Sequence, residues 1–195
     1  IRRTGGLRPL ALAIGLCCAT QAFGEANLGG QTGLIYMPDA RIDPDGTWRT
    51  GVSFADPYLS VWTSLTALPR LEATFRFVQI SDVPGFTTPG TDYGDYKDKV
   101  FDAKLLVIDE DRWWPSLLIG GTDVAGGTEL FRSGYVVAGK QLWDFDLSLG
   151  FGKDRIDGVC GGIRWRPRFL PNWRLVAEYD ATDYAQDQGA AITGV

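Results

Sequence analysis

Histidine is absent from all 195 residues. That removes the commonest general base, the usual Ser–His and Cys–His nucleophile pairs, and most zinc sites. Cysteine is scarce. Cys17 and Cys18 are adjacent near the start, and Cys160 stands alone in "GVCGG" without a second thiol beside it. No internal disulfide is expected, and Cys160 reads as a small strand residue. Beyond the first two dozen residues there is no apolar run of the ~20 residues that a membrane helix needs, and helical periodicity is poor. The length is enough for one domain with a sizeable core. The chain starts at Ile1 and stops at Val195 without a clear terminal element, so a piece of a longer protein is expected.

What is present begins with "IRRTGGLRPLALAIGLCCATQAFGEA". Arg2, Arg3 and Arg8 form a positive start, Leu10 to Ala19 an apolar stretch too short to span a bilayer, and Ala22-Phe23-Gly24 a small-residue cleavage site. Residues 1–24 are therefore read as a signal peptide, with a buried N-terminal helix as the alternative. A lipoprotein motif is poorly formed, because bulky Leu16 precedes Cys17 where a small residue is wanted. Removing the three arginines leaves 16 basic against 24 acidic residues, a net charge of −8. That balance argues against nucleic acid as a partner.

From residue 25 onward the signal is period-two alternation. Trp48, Thr50, Val52 and Phe54 oppose Arg49, Gly51 and Ser53. Leu71, Ala73, Phe75 and Phe77 oppose Arg70, Glu72, Thr74 and Arg76. Phe101, Ala103, Leu105 and Val107 oppose Asp102, Lys104 and Leu106. Phe145, Leu147, Leu149 and Phe151 oppose Asp144, Asp146, Ser148 and Gly150. Trp173, Leu175, Ala177 and Tyr179 oppose Arg174, Val176, Glu178 and Asp180. About ten strands are predicted, starting near Thr32, Thr47, Tyr58, Arg70, Val100, Ser116, Arg132, Phe145, Gly158 and Trp173, most of them roughly eight to eleven residues long, as a tilted membrane strand requires. Short connections at Leu68–Arg70, Asp109–Trp114, Gln141–Asp144 and Pro167–Asn172 alternate with longer ones at Ser81–Asp98 and Thr122–Leu130. The turn at Ala55-Asp56-Pro57 breaks that rhythm.

Trp113, Trp114, Trp143, Phe169 and Trp173 gather beside the short turns, where a membrane-interface girdle would put them. The other reading is core aromatics of a soluble sandwich. Alternation alone cannot choose, because a soluble barrel hides its apolar face and a membrane barrel turns it to lipid. Strand length, loop asymmetry, the signal segment and the missing disulfides favour the membrane barrel. Arg49, Glu72, Arg76, Asp102, Lys104, Arg164, Arg166, Arg174 and Glu178 then form a lumen-facing set. With both signs present, they either pair across a narrow interior or line a watery path.

Four stretches carry a wider likeness: "GQTGLIYMPDARIDPDGTWRTGVSFADPY", "SLTALPRLEATFRF", "YKDKVFDAKLLVIDED" with the following "WWPSLLIGGTDVAGGTELFRSGYVVAGKQLWDFDLSLGFG", and "WRLVAEYDATDY". In order and spacing they resemble the YjbH-like family of exopolysaccharide biosynthesis proteins, the GfcD type of capsule systems, over most of residues 29 to 184. The resemblance implies a Gram-negative outer-membrane β-barrel of which residues 25–195 are the N-terminal part. It implies secretion or surface assembly of a polymer and no known catalysis. The partners it implies are the exopolysaccharide, outer-membrane lipid and other polysaccharide-export proteins. Many of its relatives are lipoproteins.

Other motifs have ordinary explanations. "DPDG" at Asp43 to Gly46 reads as a turn, since no acidic ligand follows at calcium-loop spacing. Asp109 to Asp111 reads as a solvated turn, and Tyr96 to Lys99 as the solvated start of a strand. "IGGTDVAGGTELF" lacks a phosphate-loop lysine. Phe86, Tyr93, Tyr96 and Phe131 either stack on sugars or pack their loop. No cofactor, metal site or catalytic residue is expected. The rival functions are an outer-membrane enzyme acting on glycan or lipid through Asp102, Asp144, Asp146 or Glu178, and a general diffusion porin.

Overall fold

A computed structural model describes residues 25–85, 94–126 and 128–185. Among them run nine strands: β1 (Trp48–Ala55), β2 (Tyr58–Leu68), β3 (Leu71–Pro84), β4 (Asp95–Ile108), β5 (Ser116–Thr122), β6 (Ser133–Leu142), β7 (Phe145–Asp154), β8 (Gly158–Trp165) and β9 (Leu175–Tyr179). They form one antiparallel meander in sequence order. Among the described residues nothing pairs β1 with β9, so the sheet is open. The signal segment 1–24 and Phe86 and Tyr93 lie outside the described residues.

Lengths depart from the expectation at both extremes. β3 and β4 reach 14 residues each, whereas β5 has 7 and β9 has 5. The connections follow the expected rhythm only in part, since 109–115 and 166–174 are longer than expected and 155–157 is short. Residues 69–70 and 143–144 are two-residue hairpin turns, with Arg70 (φ 73°) and Trp143 (φ 55°) in the left-handed region such turns use. These, with 109–115 and 166–174, share one end of the sheet. The ends of the strands joined β1 to β2, β3 to β4, β5 to β6 and β7 to β8 share the other.

The strand expected near Thr32 is absent. Residues 25–47 form turns with isolated bridges, Ala26 to Thr32 and Gly33 to Pro38. Apolar and polar residues alternate there, but the amides of Thr32, Ile35, Tyr36 and Met37 donate to side-chain carboxylates of β3 and β9 instead of a strand ladder. These bonds also fix the shape of the sheet. Thr32 bonds Glu72 of β3 and Ile35 bonds Glu178 of β9. A flat sheet would hold strands six places apart about 29 Å from each other. Three residues of chain reach only about 10 Å. The sheet therefore curls into a trough around segment 25–47.

The two faces of the trough are unlike. Arg49, Glu72, Asp102, Lys104, Asp146, Arg164 and Glu178 lie on the covered face, while Val52, Phe54, Leu149, Phe151 and Val159 stand on the uncovered one, each more than half exposed. The apolar core is correspondingly small. Leu34, Met37 and Ala40 of the N-terminal segment pack on Leu118, Tyr135, Val137 and Val176. A second cluster joins Val78, Ile80, Val100 and Phe131 toward the other end.

Candidate functional site

The covered face is a charged trough whose partners come mostly from the N-terminal segment. Buried charge is stable only when paired and hydrogen-bonded, and here the pairing is dense. Arg164 of β8 donates to Asp39 at 2.9 Å and to Asp146 at 3.1 Å, takes the Gly33 carbonyl, and lies 3.3 Å from Glu25. Lys104 of β4 donates to the carbonyls of Thr32 and Arg41, with Glu72 at 3.9 Å and Asp39 at 4.0 Å. Glu72 accepts from the Thr32 amide at 2.7 Å and also from its hydroxyl. Arg49 pairs with Asp43 at 2.9 Å. Glu178 gathers the amides of Ile35, Tyr36 and Met37 at 2.9, 2.8 and 3.2 Å, a concave nest of N–H groups closed by a carboxylate. Arg174 pairs with Glu25.

Three of the nine expected lumen residues behave differently. Arg76 and Asp102 pair with each other at 3.0 Å across β3 and β4, and Asp102 also accepts the Asp123 amide at 2.9 Å. Arg166 lies one residue past β8 and is exposed. Partial burial and the positive charge of Arg164 pull its pKa down. Of the two readings left open for this set, pairing describes the geometry. Its partners are Glu25, Asp39, Arg41 and Asp43 of the N-terminal segment, of which Asp39 and Arg41 fall in the strand expected from Thr32 and Asp43 in the expected turn.

Several further acidic residues are engaged, Glu110 and Asp98 among them although the sequence reads as solvated there. Asp146 is buried between Arg41 and Arg164. Glu110 meets Arg41 at 2.7 Å and the Gln141 amide at 2.9 Å. Partial burial pushes the Glu110 pKa up, but the Gln141 amide and Arg41 outweigh it and hold it low. Burial likewise opposes the charge on Arg41, and Asp146 and Glu110 overcome it to raise its pKa. Asp98 is buried and bonded to Thr128. Asp43 is buried beside the expected turn, where Gly46 has φ 78°. Asp144 does sit at a turn, against Arg168 at 2.7 Å.

At the loop-bearing end a second cluster surrounds Phe131. Arg155 and Arg76 lie over its ring at 4.7 and 5.3 Å. Burial and the charge of Arg76 lower the Arg155 pKa to about 10. Phe131 packs its loop, and Tyr96 bonds Thr128. A cavity lined by both arginines, Asp102 and Gln31 opens beside them. At the opposite end Trp113, Trp114, Trp143 and Phe169 stand out at 70–81 % exposure, with Trp173 partly covered. No group of acidic or cysteine side chains among the described residues is arranged to hold a metal ion.

A curled antiparallel sheet with an apolar outside and a buried, ion-paired inside defines the class: an all-β protein of inverted polarity. The chain belongs to the YjbH family, whose model, described as exopolysaccharide biosynthesis protein YbjH, matches residues 26–159. It is 34% identical over 166 residues to the "Uncharacterized lipoprotein YjbH" of Escherichia coli (strain K12), across 80% of this chain and 23% of that protein. The chain thus spans under a quarter of that relative's length. No solved structure matches. Membership of this family supports a role in exopolysaccharide biosynthesis.

Proposed function

We propose that residues 25–195 are the N-terminal part of an outer-membrane β-barrel that serves secretion or surface assembly of an exopolysaccharide. The observation that carries this reading is the polarity of the sheet. Water would leave Phe54, Leu149 and Phe151 uncovered at an energetic cost, and a monomeric soluble sheet seldom exposes so continuous an apolar face. Lipid accepts that face, and β2 to β8 are paired on both sides as the bilayer interior demands, the edges of β1 and β9 being left for further strands of the barrel. Exposed tryptophans at the short-turn end suit the headgroup level. No helix among the described residues is long and apolar enough to cross a membrane.

The lipoprotein description of the relative supports an exported, membrane-associated chain. Its partners would then be the polymer, outer-membrane lipid and other export proteins. The carboxylates considered for catalysis, Asp102, Asp144, Asp146 and Glu178, are occupied by arginines or backbone amides, which favours a structural duty for them. Deleting the full-length gene and measuring polymer separately at the surface and in the periplasm tests the proposal. Loss at the surface with periplasmic accumulation is expected. Normal amounts in both places with altered chain length or composition would point to processing instead.

A further inference from the structure

Two tyrosine rings measure the gap between the edge strands. Tyr58 opens β2, and Tyr184 lies just past the end of β9. From Tyr179 to Tyr184 the chain still follows the start of β8. Thr182 bridges Ile156, the Asp157 amide donates to the Ala181 carbonyl, and the Asp183 amide donates to the Arg155 carbonyl. Tyr184 thus marks the continued line of the ninth strand. Its ring centroid lies 6.2 Å from that of Tyr58. Both rings face the cavity inside the trough, with the Arg155 guanidinium 5.7 Å from Tyr58 and 5.8 Å from Tyr184.

A tyrosine Cα stands about 4 Å from its ring centre, so the backbones at Tyr58 and Tyr184 are at most about 14 Å apart. Adjacent strands are spaced about 4.8 Å. Around the open side, the first step from β2 reaches β1. On a closed ring of ten strands two more steps cross one added strand and reach β9, and the whole chord is about 13 Å. On a ring of twelve the chord would be about 18 Å, more than the tyrosines allow.

Strand direction gives the same count. β1 and β9 are the first and ninth members of one antiparallel meander, so they run the same way. They cannot pair antiparallel with each other, and two inserted strands would leave a parallel pair. One inserted strand is antiparallel to both and makes the even number that single-chain outer-membrane barrels use. In a bilayer the open edges of β1 and β9 must be paired. The chain leaves Tyr184 at the loop-bearing end, beside the gap, where a returning strand would start. The matched stretch is 23% of the Escherichia coli relative, so a protein of that length has chain to supply it.

We infer that one further strand of this chain, from the part C-terminal to residue 185, inserts between β9 and β1 and closes a ten-stranded barrel around segment 25–47. This rests on the barrel reading above and narrows it. The barrel is small, its interior already holds the Arg164–Asp39 and Lys104–Glu72 pairs, and the rest of the protein lies outside it.

The test maps both edges by disulfide formation in cells making the full-length protein, with Cys160→Ser to remove the sheet's own thiol. One cysteine is fixed by Val52→Cys on β1 or by Ala177→Cys on β9. A second is moved one residue at a time through about 30 positions from residue 186 onward, enough for a loop and a strand. Residues opposite each other on adjacent strands come within disulfide range. Bridges are identified by peptide mass spectrometry. A single stretch of about ten residues should bridge to both fixed positions, at alternate residues. Phe54→Cys and Tyr179→Cys are the second pair if the first fails to fold. The inference is overturned if β9 bridges to that stretch and β1 does not, if β1 bridges only to a second copy, or if neither edge bridges to it. A full-length protein recovered in the soluble fraction would sink the membrane reading, and the closing strand would stand if one stretch still bridged both edges. A membrane-embedded protein whose β1 bridges to a more distant segment would sink only this inference.

Discussion

The Arg164 guanidinium meets the Asp39 carboxylate at 2.9 Å, with both side chains at 1 % exposure or less although 125 residues separate them. This pair ties the eighth strand to the segment that fills the trough. Removing one partner of a buried pair leaves the other charge uncompensated, at a cost of about 3–5 kcal/mol. Asp39→Ala in the full-length protein should therefore lower the melting temperature and open residues 25–47 to protease. Replacing Arg164 by Met in that background should cost less than the sum of the two single changes, because the orphaned charge is then gone. Additive losses would mean the pair is not coupled.

Glu178 holds three successive amides, and charge-assisted hydrogen bonds are the stronger kind. Glu178→Gln keeps the shape and loses the charge. A destabilisation of about 2 kcal/mol is expected. Hydrogen exchange should accelerate at Ile35, Tyr36 and Met37 well before it does in the strands. Unchanged exchange at those amides would separate them from the carboxylate.

Trp62 lies between the N-terminal segment and β1. A β-carbon on either Gly30 or Gly51 would come within 2.5 Å of its ring. Gly30 also has φ 91°, which side chains resist. Gly51→Val should displace the indole at a cost of about 1–3 kcal/mol. A shift in the emission of Trp62, isolated by difference against Trp62→Phe, reports it. Identical spectra would show that the indole is not confined.

Asp123 follows β5, and burial together with Asp98 raises its pKa to about 6, against the partial relief given by the Phe131 amide. The folded state thus holds this proton more tightly than the unfolded chain, whose aspartate titrates near 3.8. Stability contributed by the protonated form is full below about pH 4 and is lost as pH rises toward 6, with no further change above. Opening of loop 123–132, followed by hydrogen exchange, should become easier across that window. Asp123→Asn should flatten the dependence, and a slope that survives the substitution would assign it elsewhere.

How much was readable beforehand depends on what each signal encodes. Alternation placed Arg49, Glu72, Asp102, Lys104, Asp146 and Glu178 on one face, and all lie on the covered face. Hairpins at Pro69-Arg70 and Trp143-Asp144 followed from short gaps between alternating runs. The same alternation misassigned the stretch from Thr32, because "TGLIYMPD" has the right rhythm and its true hydrogen-bond acceptors, Glu72 and Glu178, sit 40 and more than 140 residues away. Asp39 and Arg41 were missed for that reason. They become counter-ions only once the sheet curls around them. The cavity was equally hidden, since Gln31, Arg76, Arg155 and Tyr184 meet through tertiary packing alone.

The outward apolar face is the central claim, and a spin label placed in the full-length protein in lipid vesicles tests it most directly. Single labels replace Leu149, 66 % exposed, and its inward neighbour Ser148. Collision with oxygen is compared with collision with a water-soluble nickel complex. At Leu149 oxygen should dominate and the nickel complex should be excluded, while at Ser148 both should be slow within the packed trough. Ready access of the nickel complex to Leu149 would place that face in water and contradict the account.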